Sequence, residues 1–336
     1  MSQTLLEVEQ LRVRIGKGED AVTPVTGVSF AVGAREAVGL VGESGCGKSL
    51  TLRAIVGLLP RGGAVEGTRR FVLDGDTPVD YDPVRVRGRG IGMIFQEPMT
   101  ALNPTMRIGD LIAEPLRARG ISKRESHRRA IDLMSQVGIP DAARRARAWP
   151  HELSGGLRQR AMIAAALATE PRLLLCDEPT TALDVCIQDQ ILGLLSTLVR
   201  ERGMSILFVT HDLAVVSQLC DRVAVMYAGE LVEVGETAEV LAAPTHPYTR
   251  ALLRSAPSFD GAGGRLTGIP GRPPDPHAFP TGCRFAQRCE LAQDTCRTRH
   301  PELRQTPLVA DDRLTACLRV EAAIAAAKED QAKVAG

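Results

Sequence analysis

The chain reads as an α/β protein: a largely parallel sheet with helices on its faces, antiparallel strands near the start, and a small cysteine-bearing unit at the end. Three observations predict this. Short apolar runs at 37–41, 172–177 and 205–210 alternate with helical patterns, the signature of strands joined by helices. Residues 5–15 and 27–34 instead alternate apolar and polar side chains, as half-buried antiparallel strands do. Past residue 254 the texture turns Pro- and Gly-rich, and four of the eight cysteines (Cys283, Cys289, Cys296, Cys317) lie beyond it.

Composition narrows the function classes. With 336 residues, 44% hydrophobic and 24% charged, the chain has ample material for a core, and a net charge of +1 supplies no basic field for nucleic acid or anionic lipid. No apolar run approaches the ~20 residues of a spanning helix, and MSQTLLEVEQ lacks the pattern of a signal peptide, so a cytoplasmic protein is expected. Lysine occurs only at positions 17, 48, 123, 328 and 333 among 41 basic residues, so a lysine inside a motif carries more weight than usual.

Taken in order, Val8–Ile15 and Gly27–Ala34 are the antiparallel strands. Ala37–Val41 is a buried strand too short to be a helix. Residues 48–59 have helical spacing, stopped by Pro60 and Gly62-Gly63. Residues 121–138, 157–169 and 184–202 are expected helices, and 172–177 and 205–210 buried strands. Between the strand at 37–41 and the helix from Lys48 stands Gly42-Glu43-Ser44-Gly45-Cys46-Gly47-Lys48-Ser49, matching G-x-x-x-x-G-K-[ST] at every specified position. Glycines let such a loop wrap until successive N–H groups face phosphate oxygens, and the helix N-terminus adds partial positive charge. Lys48 would bridge the β- and γ-phosphates and Ser49 would ligate Mg²⁺. Cys46 sits in this electropositive loop, where a lowered thiol pKa and ready attack by maleimide are expected; ordinary packing of the thiol is the competing reading.

A nucleoside triphosphatase also needs a carboxylate for its metal and another for water. Leu173-Leu174-Leu175-Cys176-Asp177-Glu178 offers both at a strand's C-terminal end, where open α/β sheets bind ligands. Asp177 would hold Mg²⁺ and Glu178 would orient or deprotonate the attacking water. His211, after the strand 205–210, is a candidate contact for the γ-phosphate, with a structural role as the alternative.

Leu153-Ser154-Gly155-Gly156-Leu157-Arg158-Gln159-Arg160, preceding a helix, resembles the signature of the ATP-binding cassette family. The resemblance extends in the family's order over nearly the whole chain: the phosphate loop at 42–49, Gln96, the signature, Asp177-Glu178, Ala182-Leu183-Asp184, then His211. It implies a P-loop cassette core with an antiparallel β subdomain and a helical subdomain at about 98–160. The cassette would occupy 1–254 and the cysteine-bearing domain 255–336. It also implies catalytic roles for Glu178, His211 and Gln96, with Mg²⁺ on Ser49, Gln96 and Asp177. Ser154, Gly155 and Gly156 at a helix start make a second anion site. In the family this site closes over ATP held by another subunit, so a second ATPase subunit is implied, because each motif occurs once here.

Further segments resemble the dipeptide and oligopeptide importer branch: Phe95–Pro104, Trp149–Glu152, Pro244–Thr249, Ile269–Gly271 and Gly282–Ala286. The implied partners are two membrane permeases, a homologous ATPase and an extracytoplasmic solute-binding protein, with this chain peripheral on the cytoplasmic face. Nickel or opine-like uptake is the alternative within transport. A DNA-maintenance ATPase is disfavoured by the absence of sustained heptads, a basic field or a second cassette.

Three residues depart from the family pattern. Ile15 occupies the position where an aromatic commonly stacks on adenine, Leu157 replaces a glutamine common in the signature, and Cys46 occupies a loop position that is often serine. The late cysteines are spaced Cys-x5-Cys-x6-Cys-x20-Cys, wider than the pairs usual for structural zinc and unlike the familiar ferredoxin patterns. Resemblance to cluster-bearing peptide importers points to a four-iron, four-sulfur cluster. Zinc is the alternative metal, and disulfides or free thiols are the bland reading.

Overall fold

In the computed structural model the described residues are 3–73, 75, 77–180, 184–255, 268–309 and 312–335. Two compact units emerge. One comprises the chain up to Leu6, Val32–Glu36 and Phe71–Phe208; the other comprises Glu7–Ala31, Ala37–Arg70 and the chain from Val209 onward. Ala182 and Leu183, and residues 256–267 of the expected linker, lie outside the described residues.

The first unit contains a parallel strand pair and a group of helices. Ile91–Ile94 runs parallel to Leu173–Asp177, with Ile91 opposite Leu173 and Ile94 opposite Cys176. The strand Leu173–Asp177 is buried along its whole length, which explains its unbroken apolar run. Ser205–Thr210 begins here with Ser205 N–H donating to the Arg172 carbonyl at 2.9 Å. The helices Ile108–Ala118, Lys123–Gln136 and Gly155–Leu167 pack together through Ile108, Ile112, Leu116, Ala130, Met134, Ala161 and Ala164, spaced to form apolar stripes.

Helix ends follow local chemistry. The helix expected at 157–169 starts two residues earlier, because Ser154 caps it: its hydroxyl accepts from Leu157 N–H at 3.4 Å. Asp184 caps Val185–Arg202 in the same way through Ile187 N–H at 3.0 Å, and Gly203 ends that helix at φ +63°.

The second unit is built on a five-strand succession. Ala37–Val41 lies parallel to Arg222–Tyr227, which pairs antiparallel with Glu230–Glu236. Leu314–Thr315 adds to Glu230–Glu236, and Arg304–Gln305 adds to Leu314–Thr315, both antiparallel. Residues expected to form only a separate appendage thus extend this sheet. The strands 222–227 and 230–236 and the late pair were not among the sequence expectations. Val22–Gly33, Thr4–Ile15 and Ala64–Phe71, most of whose residues belong to this unit, are successive neighbours in a second sheet.

The helix after the phosphate loop spans Lys48–Ile55, shorter than the expected 48–59. Gly57 at φ +67° ends it, with Leu58 N–H donating back to the Arg53 carbonyl at 2.8 Å, a Schellman-type closure that acts before Pro60 can. Among the described residues no helix is long and apolar enough to cross a membrane.

Candidate functional site

The phosphate loop follows from strand and helix positions. Ala37–Val41 is buried throughout and delivers the chain to Gly42 beneath the next strand's carbonyl: a Cβ on Gly42 would lie 2.1 Å from the Met226 oxygen. Only glycine fits. Gly47, at φ +106°, is similarly enclosed by Met226, Val25 and Pro24. The turn after Arg222–Tyr227 braces the loop, with Gly229 N–H donating to the Cys46 carbonyl at 3.0 Å.

Lys48 is buried, and its ammonium donates to the carbonyls of Gly42 at 2.7 Å and Glu43 at 2.9 Å. Its charge is thus pre-placed within the loop. Ser44 and Gly45 are exposed at the tip, Cys46 and Gly47 are buried, and Ser49 is half-buried at the first turn of the helix. Glu43 N–H donates to the Tyr248 hydroxyl at 2.7 Å, while its carboxylate receives Arg288 at 2.6 and 2.9 Å. Ile15 is half-buried at the end of its strand.

The expected activation of Cys46 is not found. The side chain is buried, and burial raises its thiol pKa despite the opposing influence of Lys48. The electropositive setting is real, but the desolvation of a thiolate there outweighs it.

In the first unit, Asp177 is fully buried at the end of its strand, and Glu178 turns out of it at φ +45°, a left-handed conformation uncommon outside glycine. Gln96 is exposed just past Ile91–Ile94, and its amide donates to the Glu178 carboxylate at 3.4 Å. The parallel pairing of these two strands brings together a glutamine and a glutamate 82 residues apart in sequence. Ser154 and Gly155 are exposed, and a Cβ on Gly155 would meet nothing within 4 Å. In the second unit, His211 is exposed directly after its strand.

The four late cysteines all line one small pocket, with His246, Phe285 and Ala286. All are free thiols. The expected cluster on these cysteines is not supported by the geometry: among the described residues no three His, Cys, Asp or Glu side chains form a group able to hold a metal ion. Burial raises the thiol pKa of Cys283 to about 11 and of Cys317 to about 12, and raises that of Cys289, with neighbouring cysteines adding to each shift. Cys283 N–H donates to the Cys296 carbonyl at 2.8 Å, and a Cβ on Gly282 would lie 2.4 Å from the Arg297 backbone, so backbone crossing accounts for the convergence.

Sequence reasoning did not find Arg288, Tyr227 or the turn at Ala228-Gly229. Tyr248 and Arg284 lie inside segments that resemble the importer branch, but that resemblance gave neither a role.

A glycine-cradled lysine, a buried aspartate with an adjoining glutamate, and a serine-capped glycine pair are the parts of a P-loop ATPase of the cassette class. Comparison with known proteins agrees. Residues 25–181 match the ABC transporter family, and residues 232–296 match the oligopeptide/dipeptide transporter C-terminal region. A putative peptide import ATP-binding protein of Brucella abortus (strain 2308) is 48% identical over 90% of this chain and 94% of its own length. The oligopeptide transport ATP-binding protein AppD of Bacillus subtilis (strain 168) is 45% identical over 89% of this chain and 93% of its own. Among solved structures, a dimeric ATP-binding cassette in a post-hydrolysis state with ADP and phosphate superposes with a TM-score of 0.60 at 28% identity, covering 69% of this chain and 99% of that one. The chain belongs to the ATP-binding cassette family of transporter ATPases.

Proposed function

We propose that this chain is the ATP-hydrolysing subunit of a di- or oligopeptide importer, peripheral on the cytoplasmic face of the membrane. The carrying observation is agreement in two separate stretches: the ATPase region matches the ABC transporter family, and residues 232–296 match the oligopeptide/dipeptide transporter C-terminal region. Relatives named for peptide import align over about nine-tenths of the chain, which supports the substrate class. The partners are a second cassette ATPase, two permeases and a solute-binding protein. The domain division is 1–254 and 255–336, with a helical subdomain at about 98–160.

In this reading the amides of Gly45–Ser49 and the Lys48 ammonium bind the phosphates, and Ile15 lies against the adenine. Ser49, Gln96 and Asp177 would hold Mg²⁺; hydroxyl, amide and carboxylate oxygens are the hard donors it prefers. The ion would neutralise phosphate charge. Glu178 accepts the proton of the attacking water, Gln96 restrains the Glu178 carboxylate, and His211 contacts the γ-phosphate. Ser154, Gly155 and Gly156 offer hydroxyl and amide donors to ATP on the second subunit.

Cys283, Cys289, Cys296 and Cys317 are a donor set suited to a four-iron, four-sulfur cluster, with zinc as the competing metal. Their shared pocket supports that reading. Anaerobically purified protein should contain about four irons per chain with matching sulfide. Stoichiometric zinc without iron would transfer the site to zinc.

Glu178→Gln, made together with the matching change in the partner ATPase, tests the central assignment. Turnover in the reconstituted importer should fall at least ~100-fold while ATP still binds. Peptide uptake into vesicles should stop with it. Retained turnover would remove Glu178 from the chemistry, and wild-type uptake of nickel rather than peptide would reassign the substrate.

A further inference from the structure

Glu43 poses a problem for a loop that must bind a polyanion. It is the second residue of the phosphate loop, and its carboxylate would oppose the charge of a nucleotide's phosphates. The structure answers this with Arg288, 245 residues later in sequence. Arg288 is buried, and its guanidinium grips the Glu43 carboxylate with both terminal nitrogens, at 2.6 and 2.9 Å. The remaining donors are also committed: to the Pro270 carbonyl at 2.8 Å, the Ile269 carbonyl at 3.3 Å and the Tyr227 hydroxyl at 3.3 Å. The planar fork of arginine suits this geometry, and a bidentate pair fixes orientation as well as charge.

Every polar group of Glu43 is therefore held. Arg288 takes the carboxylate, Tyr248 receives the N–H, and Lys48 donates to the carbonyl. The residue acts as the loop's anchor. The anchor's other end lies among the late cysteines, since Arg288 directly precedes Cys289. A second arginine repeats the connection: Arg284, directly after Cys283, donates to the Ala228 carbonyl, in the turn whose Gly229 braces Cys46. Tyr227, Tyr248 and Phe285 fill the space between, with ring centroids 4.5–5.4 Å apart.

We propose that Arg288 is a positioning residue for nucleotide binding: it neutralises and orients Glu43, and so makes the cysteine-bearing segment a determinant of affinity for ATP. The inference rests on residues 42–49 being the ATP phosphate loop. Removing Arg288 leaves a carboxylate uncompensated beside bound phosphate, a larger penalty than removing both charges together.

The test uses full-length chain in its transporter assembly and follows ATPase kinetics. Arg288→Met should raise KM for ATP about tenfold with kcat changed less than about twofold, the pattern of lost binding. Arg288→Lys, which keeps the charge and the fold but not the fork, should fall between. Adding Glu43→Gln to Arg288→Met should recover most of the lost affinity, because the unpaired charge is gone. A purely structural role would lower Tm in Arg288→Met while leaving KM for ATP in the folded protein unmoved. An unchanged KM in Arg288→Met, or a defect that Glu43→Gln leaves in place, overturns the proposal. Wild-type protein that neither binds nor hydrolyses ATP would instead overturn the nucleotide reading on which it rests.

Discussion

The phosphate loop and the signature are both glycine-bearing helix starts, yet the protein treats them in opposite ways. The loop is enclosed: Gly42 and Gly47 have no room for a methyl group, Lys48 is buried, and Glu43 is held at three points. The signature is open: Ser154 and Gly155 are exposed, and Gly155 has empty space where a Cβ would go. An enclosed anion site is organised by its own chain before any ligand arrives. An open one leaves its serine and glycine accessible, as the proposed action of the signature on a second subunit requires.

The same substitution made at both places sharpens this contrast and gives the largest expected effect. Gly42→Ala forces a methyl onto the Met226 carbonyl, and overpacking of that kind costs about 1–3 kcal/mol or more, lowering Tm by on the order of 5 °C. ATP binding by the isolated chain should be lost with it. Gly155→Ala should leave Tm within about 2 °C and ATP binding by the isolated chain unchanged, since alanine is the better helix former and meets no neighbour. Its cost should appear only in the assembled transporter, as slower turnover. Thermal unfolding, nucleotide titration and assembly ATPase rates check the three parts; a signature variant that loses ATP binding on its own would break the comparison.

A smaller effect concerns thiols. Cys46 is buried with a raised pKa, so near neutral pH its reactive thiolate is scarcer than in a free cysteine, and a rise in pH should speed its reaction only well into the alkaline range. Cys186, exposed at the start of the helix Val185–Arg202, should consume maleimide first. Mass spectrometry of briefly labelled protein should find Cys186 modified ahead of Cys46, with ATP binding still intact at one equivalent. Early labelling of Cys46 would show that the loop opens far more readily than its enclosure implies.

Much of the molecule was legible in the residues. The strand 37–41, the strand ending at Asp177, the helix up to Arg202 and the strand 205–210 each have a local cause: an apolar run, a cap or a stop. The phosphate loop was legible for the same reason, because glycine, lysine and serine at fixed spacing carry their own geometry. The departures also have local explanations, as at Gly57, which closes its helix before Pro60.

What the sequence could not supply are the properties that depend on distant neighbours. Nothing around Cys46 in sequence says that the fold will bury it, with the distant turn at Gly229 bonded to its carbonyl, so its thiol pKa rises where the electropositive loop alone argued for a fall. The late cysteines are grouped in sequence, but it is the tertiary structure, with the backbone crossing at Gly282, that gathers all four onto one pocket. Arg288 is one of 36 arginines when read along the chain. Only the sheet that places Tyr227 and the segment at 269–289 beside the phosphate loop turns it into the partner of Glu43. Spacing along the chain determined which groups are present; burial and long-range pairing determined their charge, their reactivity and whom they serve.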